Sequence, residues 1–346
     1  MAEVQNAIAN VNFATGELGK AQEGYQEALE TFRLIGNQRG QADQLNALAN
    51  ISDFLGHPSE ARQQYEKAGD LYREVGDHEG QAKTLCNLGS ILIQSGDLGG
   101  AERSLKQAAS LSKGDESGLA DVRSGLGELF TERGELERAR ESYALALTTR
   151  HDLKQRSYAA INLLDLGRLR LEEDPPRLEQ ATGYFKDALS QFEGQNLPDN
   201  EAEARALLAR AYAAQRSSSA DALAKASTEI ERAKSLAAKS ANVRLRIIVA
   251  MAEANVRVAS KEIPVAVQLL EQAAAEAERR HLFAVGLEAR LELGATELCC
   301  GDHNHGVEVL TAVEKNARAR GYNRVARQAA RDLAANQFPL TPRSPT

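Results

Sequence analysis

Asparagine recurs at paired positions near the start of the chain. Asn6 and Asn10 are four residues apart, and Asn46 and Asn50 repeat the pair 40 residues later. An asparagine side chain carries both a donor and an acceptor, so it can pair with both polar groups of a peptide backbone. Residues four apart share one face of a helix. This spacing therefore predicts a ladder of amides that can bind an extended polypeptide.

Acidic residues accompany the ladder. Glu3, Asp43 and Asp53 each lie three residues from one of its asparagines, and Asn87 lies one place away from the equivalent position in the next unit. Their carboxylates favour a bound segment that carries Lys or Arg, mainly by speeding its encounter with the protein. The alternative interpretation is that these residues form ordinary polar surface.

The elements that must position these residues form a repeat of about 40 residues. A small residue is followed four places later by a large apolar residue and seven places later by a second small one. The first small residue stands at Ala21, Ala61, Ala101, Ala139, Ala181, Ala226, Ala266 and Gly306. A fixed period of this size indicates a stacked array of helical hairpins. The small residues let paired helices approach closely, and the large one fills the remaining volume.

This pattern resembles the tetratricopeptide repeat, whose first helix carries Leu-Gly and whose second carries Ala-x3-Phe. Leu-Gly occurs at Leu88-Gly89, Leu126-Gly127, Leu166-Gly167 and Leu293-Gly294. All eight units match the second motif, with Gly306 replacing Ala in the last. The period exceeds the usual 34 residues and the Pro that usually ends the second helix is absent. Both departures are similar to the long repeats of kinesin light chains and Pins proteins, and to C-terminal arrays of bacterial signalling proteins.

The sequence predicts an all-α, right-handed superhelical solenoid of about eight hairpins with a C-terminal capping helix. Residues 1–156 hold four regular repeats, residues 157–200 a looser fifth, and residues 201–322 three divergent repeats. Residues 323–336 form the predicted cap, and residues 337–346 a disordered tail. The longest connections are expected at 194–200 and at 216–220.

Composition narrows the function classes. The net charge is −7, and the surplus of acid lies in the first half of the chain. Phosphate binding needs a basic footprint, so nucleic acid is not the expected partner. No run of 18 apolar residues and no signal segment occurs, which predicts no membrane span and a cytoplasmic location. Only three cysteines are present, which fits a reducing compartment.

The sequence contains none of the common catalytic or nucleotide-binding motifs. The sequence holds no phosphate-binding P-loop, Rossmann fingerprint, HExxH or GxSxG. The nearest approach to a metal site is Cys299, Cys300, His303 and His305, whose spacing fits no common zinc pattern. We therefore predict no catalytic residues, no metal and no cofactor.

The resemblance implies a binding function, because in the long-repeat families asparagine on the inner, concave face holds extended peptides. The leading hypothesis is a non-enzymatic scaffold that binds a peptide or protein segment in this groove. The alternative is a sensory or regulatory domain of a larger bacterial signalling protein, whose upstream kinase or winged-helix domain is missing from this sequence. Oligomeric state and partner are left open. In repeats three and four the ladder positions hold Cys86, Ser90, Ser124 and Glu128. The later equivalents, Leu164 and Arg168, Met251 and Asn255, and Leu291 and Ala295, predict a more apolar groove towards the C-terminus.

Overall fold

A computed structural model describes residues 2–215 and 221–337. Within these ranges the chain forms seventeen α-helices and no strand. The helices are α1 (Ala2–Ala14), α2 (Leu18–Leu34), α3 (Gln38–Phe54), α4 (Pro58–Glu74), α5 (His78–Ser95), α6 (Leu98–Leu111), α7 (Glu116–Arg133), α8 (Leu136–Asp152), α9 (Arg156–Glu172), α10 (Leu178–Glu193), α11 (Pro198–Ala214), α12 (Ala222–Ala237), α13 (Val243–Ala259), α14 (Ile263–Arg279), α15 (Phe283–Cys300), α16 (His303–Arg320) and α17 (Asn323–Gln337).

Consecutive helices pair as eight hairpins, α1/α2 to α15/α16, and α17 follows the last. Each hairpin packs on the next, as in a solenoid whose stability is close to a sum of neighbour terms. The prediction of an all-α, right-handed solenoid is confirmed. In the described ranges, no helix has the length and apolar character that crossing a bilayer requires.

The small–large–small motif forms the core of each hairpin. Ala61 and Ala68 are fully buried on α4, and Tyr65 between them is 3% exposed. The second helix thereby presents one apolar stripe to its partner. Leu105 fills the equivalent place in repeat three and is completely buried. The helix N-termini are also fixed by residues close in sequence. Asp77 accepts a hydrogen bond from the backbone N–H of Gly80 at 2.9 Å and thereby caps α5.

The connection after repeat five is shorter than expected. Residues 194–200 were expected to form a long loop, but α11 begins at Pro198. Proline is well suited to the first position of a helix, because its fixed φ is helical and its missing N–H would have no partner there. The expected turn at 216–220 and residues 338–346 of the expected tail lie outside the described residues.

The superhelix returns on itself. The hairpin turns of repeats two, three and four contact the C-terminal half of the chain. Val243 lies 3.1 Å from the position a Cβ would take on Gly56, and Arg320 donates to the carbonyl of Ser95 at 3.3 Å. Buried Tyr322 donates to the carbonyl of Ile93, and α17 packs against α7. The last helix therefore does more than cap the array, because it joins the end of the array to its middle.

Candidate functional site: a charge-lined central cavity

Closure of the superhelix encloses a central cavity of about 500 Å³. Its wall consists mainly of the first helices of repeats three to eight, α5, α7, α9, α11, α13 and α15. The charged residues that line it are Asp121, Glu128, Glu132, Asp165, Glu172, Glu203, Glu288, Glu292, Lys83, Arg150, Arg168, Arg210, Arg244 and Arg324. Charges withdrawn from water are stable only when they have partners, so the pairing of each decides what the wall can bind.

Arg324 of α17 is the hub of this wall. Its guanidinium lies 3.3 Å from the carboxylates of both Glu132 and Glu172, and it also contacts Glu288. Burial raises the pKa of Glu132. Burial also acts on Glu288, but Arg324 and Arg210 outweigh it, so the pKa of Glu288 is lowered. Three first helices are thus tied to the closing helix through one cation.

A second group of ion pairs lies across α9 and α11. Arg168 pairs with Asp165 at 3.6 Å and also with Glu203. Burial raises the pKa of Asp165 to about 6, although Arg168 opposes the shift. Farther round, Arg210 lies 3.3 Å from Glu292. These contacts compensate most of the carboxylates on this side of the cavity.

Arg150 enters the wall from α8. It contacts Asp121 at 2.8 Å and donates to the side-chain oxygen of Asn162 at 2.8 Å. Asn162 in turn donates to Ser124 at 3.0 Å. These contacts fix the side chains of repeats four and five relative to one another.

Three charges of the wall are left without an ion pair. Among the residues that the structure describes, none of Glu128, Lys83 and Arg244 has an oppositely charged group within 4.0 Å. Glu128 accepts a hydrogen bond from Ser90 at 3.1 Å. Burial raises the pKa of Glu128 to about 7, and the field of Arg244 only partly opposes this. All three side chains line the cavity and are available to a ligand.

Several side chains of the predicted asparagine ladder already form hydrogen bonds within the chain. The oxygen of Asn10 accepts from the hydroxyl of Tyr25 at 2.7 Å, and that of Asn50 accepts from Tyr65 at 2.6 Å. The oxygen of Asn46 accepts from Thr84 of the next repeat at 3.2 Å. Asn6 is half-buried on α1. The amide oxygens of three ladder residues therefore have partners within the chain.

The other predicted residues are dispersed. Glu3 is exposed, and the carboxylate of Asp43 accepts from the hydroxyl of Tyr72 at 2.6 Å. Burial raises the pKa of Asp53, and Arg244 across the superhelix partly offsets it. Asn87 lines the central cavity. The structure thus brings Asn87 and Arg244 to the cavity, with Asp53 within the electrostatic reach of Arg244, and leaves Glu3 outside.

Two family models of the tetratricopeptide repeat match the sequence, over residues 1–74 and 82–115. Together with the hairpin array and its buried motif, these matches support tetratricopeptide repeats in this chain, with the matched models lying in its first 115 residues. A search of curated proteins finds no match.

Solved structures show the same fold at low sequence identity. The Rap conjugation gene regulator of the plasmid pLS20, in complex with the Phr* peptide, is 14% identical, with 80% of this chain and 73% of that chain covered and a TM-score of 0.64. A Rap protein complexed with Competence and Sporulation Factor is 16% identical over 97% of this chain and 99% of that one, with a TM-score of 0.57. A STAND protein with a tetratricopeptide repeat sensor from Pyrococcus horikoshii is 16% identical, covers 96% of this chain and 50% of its own, and has a TM-score of 0.52.

The expectation of a more apolar groove in the later repeats does not hold. Met251 and Leu164 do line the cavity, but so do the ion-paired carboxylates and guanidiniums of α9, α11 and α15. The ladder positions take in only two residues of each first helix. Charged residues at other positions of these helices, such as Glu132, Glu203 and Glu292, also face inwards once the superhelix closes, as does Arg168 at a ladder position. One sequence signal could have predicted the charged wall: several successive first helices carry charged residues on the face that would otherwise be buried.

The cysteines are placed as follows. Cys299 and Cys300 form a disulfide with each other at the end of α15, which differs from the reduced pair expected from composition. Within the described ranges, no three His, Cys, Asp or Glu residues are grouped to hold a metal ion. Cys86 lines the cavity, and burial raises its pKa to about 12, so its thiol is a poor nucleophile.

Proposed function

We propose that this protein is a non-enzymatic scaffold that binds a peptide, or an extended segment of a protein, in the central cavity and the adjoining groove of repeats one and two. The observation that carries the proposal is the return of α17 onto α7, which turns the concave face into a partly open cavity with a charged wall. Ligand sites are typically concave and largely preformed, with a few polar groups that fix the ligand's orientation.

The size of the cavity selects the ligand class. A volume of about 500 Å³ lies within the ~300–1,000 Å³ typical of small-ligand sites. A folded partner does not fit such a space, whereas a few residues of extended chain do. The wall offers donors and acceptors for a peptide backbone through Asn87, and apolar contacts through Ile248 and Met251. Mixed walls of this kind suit a peptide better than a purely apolar molecule.

The asparagine ladder extends this site towards the N-terminus. The oxygens of Asn10, Asn46 and Asn50 accept from neighbouring hydroxyls, but their amide N–H groups donate to none of the residues described. Each can therefore still donate to a peptide carbonyl. Asn6, Glu3, Asp43 and Asp53 complete the proposed groove, with the carboxylates favouring a basic segment.

Two of the similar structures were solved as complexes, and the ligand of one is named as a peptide. The pLS20 regulator was solved with the Phr* peptide, and a Rap protein with Competence and Sporulation Factor. At 14% and 16% identity the similarity concerns the fold, so the ligand of this chain rests on its own cavity.

A selection experiment tests the proposal. A displayed library of random heptapeptides is enriched on the wild-type protein, and the affinities of synthetic versions of the enriched peptides are measured by fluorescence polarisation. Asn87→Trp fills the cavity and is expected to weaken binding at least tenfold. Gln63→Trp is the matched control, because Gln63 is exposed on α4, which does not contribute to the cavity wall. Equal affinities for both variants, with folding retained, would place the ligand elsewhere, and a library without enrichment would refute peptide binding.

The alternative function, a sensory unit, uses the same site but adds a change of shape. The closing contacts of Arg324 and Tyr322 join distant parts of the superhelix, so a ligand that alters them would change its pitch. Small-angle scattering of the wild-type protein with and without an enriched peptide separates the two functions. A scaffold keeps its radius of gyration, whereas a sensor changes it.

A further inference from the structure

The wall of the cavity contains a carboxylate without a cation and an amide oxygen without a donor, and both side chains contact Ser90. Glu128 on α7 has the hydroxyl of Ser90 as its hydrogen-bond partner and no cation within 4.0 Å among the described residues. On α5, Gln94 donates to Ser90 at 3.3 Å, while its own side-chain oxygen is buried and accepts no hydrogen bond from the described chain. Gln94 is 5% exposed and lines the same cavity.

A carboxylate withdrawn from water without a cation and a buried acceptor without a donor are both costly, and each requires an explanation. Elsewhere on the wall the explanation is a protein cation: Arg324 serves Glu132, Arg168 serves Asp165 and Arg210 serves Glu292. At Glu128 and Gln94 no protein group takes that role. A ligand that donates several hydrogen bonds and carries positive charge would satisfy both acceptors at once.

We propose that Glu128, Ser90 and Gln94 form a subsite for an organic cation, the ammonium of a Lys or the guanidinium of an Arg in the bound peptide. This subsite deepens the proposed function and rests on it. An ammonium has three donors and a guanidinium five, against a carboxylate, a hydroxyl and an amide oxygen on the wall. One carboxylate beside a serine and a glutamine is a poor ligand set for a metal ion, which agrees with the lack of any metal-type cluster in the described ranges.

The charges facing the subsite agree with a cationic ligand. Glu132 on the same helix and Asp165 on α9 add negative potential, and Arg244 on α13 opposes them. Burial raises the pKa of Glu128 to about 7, so a proton occupies the carboxylate in part of the molecules near neutral pH. An incoming cation replaces that proton. Affinity for a basic peptide should therefore rise as the pH increases from 6 to 8.

The test uses the enriched heptapeptides in matched pairs. One member of each pair keeps its Lys or Arg, and the other has norleucine at that position. Wild-type protein should prefer the basic member by about 10- to 100-fold, the usual range for a hydrogen bond to a charged group. In Glu128→Gln the preference should fall below about threefold, while affinity for the norleucine peptide is kept. Glu141→Gln, at an exposed site on α8, should leave the preference intact. Circular dichroism confirms that both variants fold.

Each outcome is informative. Enriched peptides without a fixed basic position, or an unchanged preference in Glu128→Gln, would overturn the subsite while leaving peptide binding in place. A flat pH dependence between 6 and 8 would also contradict it. If the library gives no enrichment, the proposed function fails, and titration with arginine amide and with spermidine decides the subsite alone. If either compound binds to the wild-type protein and not to Glu128→Gln, the natural ligand of the subsite is a free cation. If neither binds, the subsite is refuted.

Discussion

Repeats one and two and repeats three to eight share one hairpin core but differ on their inner face. In the first two, the inner asparagines Asn10 and Asn50 bond to a tyrosine of their own hairpin. In the later repeats the inner face carries charge, and its central cation reaches from α17 to Glu132, 192 residues away in sequence. The hairpin is specified locally, whereas the chemistry of its inner face depends on what the superhelix places opposite.

The hairpin turns show the same contrast. Nothing lies within 4 Å of the place where a Cβ on Gly16 would stand in repeat one. The equivalent positions of Gly56, Gly96 and Gly134 are all contacted by the C-terminal half. Closure therefore begins at repeat two, and it is the reason that charges can be buried from repeat three onward.

The largest loss of stability is expected when Arg324, the central cation of repeats three to eight, is removed. Arg324→Ala leaves the carboxylates of Glu132, Glu172 and Glu288 without their shared cation, and breaking a buried ion pair in this way costs about 3–5 kcal/mol. The change in unfolding free energy from urea titration measures it. Arg318→Ala removes an exposed pair with Glu314 on α16 and should cost less than about 1 kcal/mol. Similar costs for both variants would mean that closure adds little stability.

The second prediction concerns the contact between the hairpin turns and the C-terminal half of the chain, which we call the seam. Gly16 and Gly134 occupy the same place in their hairpins, with φ of +79° and +70°. Alanine at either should cost about 1–2 kcal/mol for the left-handed backbone. At Gly134 the new Cβ would also lie 3.2 Å from the backbone nitrogen of Arg324 and against the side chain of Arg327. Gly134→Ala should therefore cost roughly a further 1–3 kcal/mol in thermal or urea unfolding. Equal effects of the two substitutions would argue against a tight seam.

The sequence was sufficient for the hairpins because their determinants are local. Ala61, Tyr65 and Ala68 lie within two turns of one helix, and Asp77 caps the helix that follows it. The closure was not predictable in this way. It depends on the small rotation between successive hairpins, summed over five or six of them, which no single spacing encodes. For the same reason the pairing of Asn50 with Tyr65, 15 residues away, was within reach of the repeat pattern, whereas that of Arg324 with Glu132 was not.

The third prediction uses the unpaired acid of the closed region. The pKa of Glu128 is raised from the ordinary value of 4.5 to about 7 in the folded protein by burial. As the pH rises from 4.5 to 7, the unfolded chain releases this proton while the folded protein retains it, so the folded state loses stability. Glu128→Gln removes that dependence. Relative to wild type, it should gain about 1–2 kcal/mol across this window, after allowance for the solvent that still screens the half-buried group.

Urea titrations at pH 5 and pH 7.5 measure this difference. Glu141→Gln, exposed on α8, should follow the wild-type curve at both pH values. A Glu128→Gln curve parallel to wild type would show that Arg244 neutralises the carboxylate more fully than the cavity geometry indicates.

The smallest expected energy, the coupling between Asn50 and Tyr65, separates the two roles of the asparagine ladder. Asn50→Ala leaves the hydroxyl of nearly buried Tyr65 without its acceptor, at a cost of about 1–3 kcal/mol, and Tyr65→Phe removes the donor instead. A double-mutant cycle should give a coupling energy of about 1 kcal/mol for this pair and near zero for Tyr65→Phe with Asn87→Ala. Binding of an enriched peptide then divides the roles. If the amide N–H of Asn50 also donates to the ligand, Asn50→Ala weakens binding about 5- to 100-fold while Tyr65→Phe does not. Equal binding by both variants would assign Asn50 to the hairpin alone and confine the site to the closed repeats.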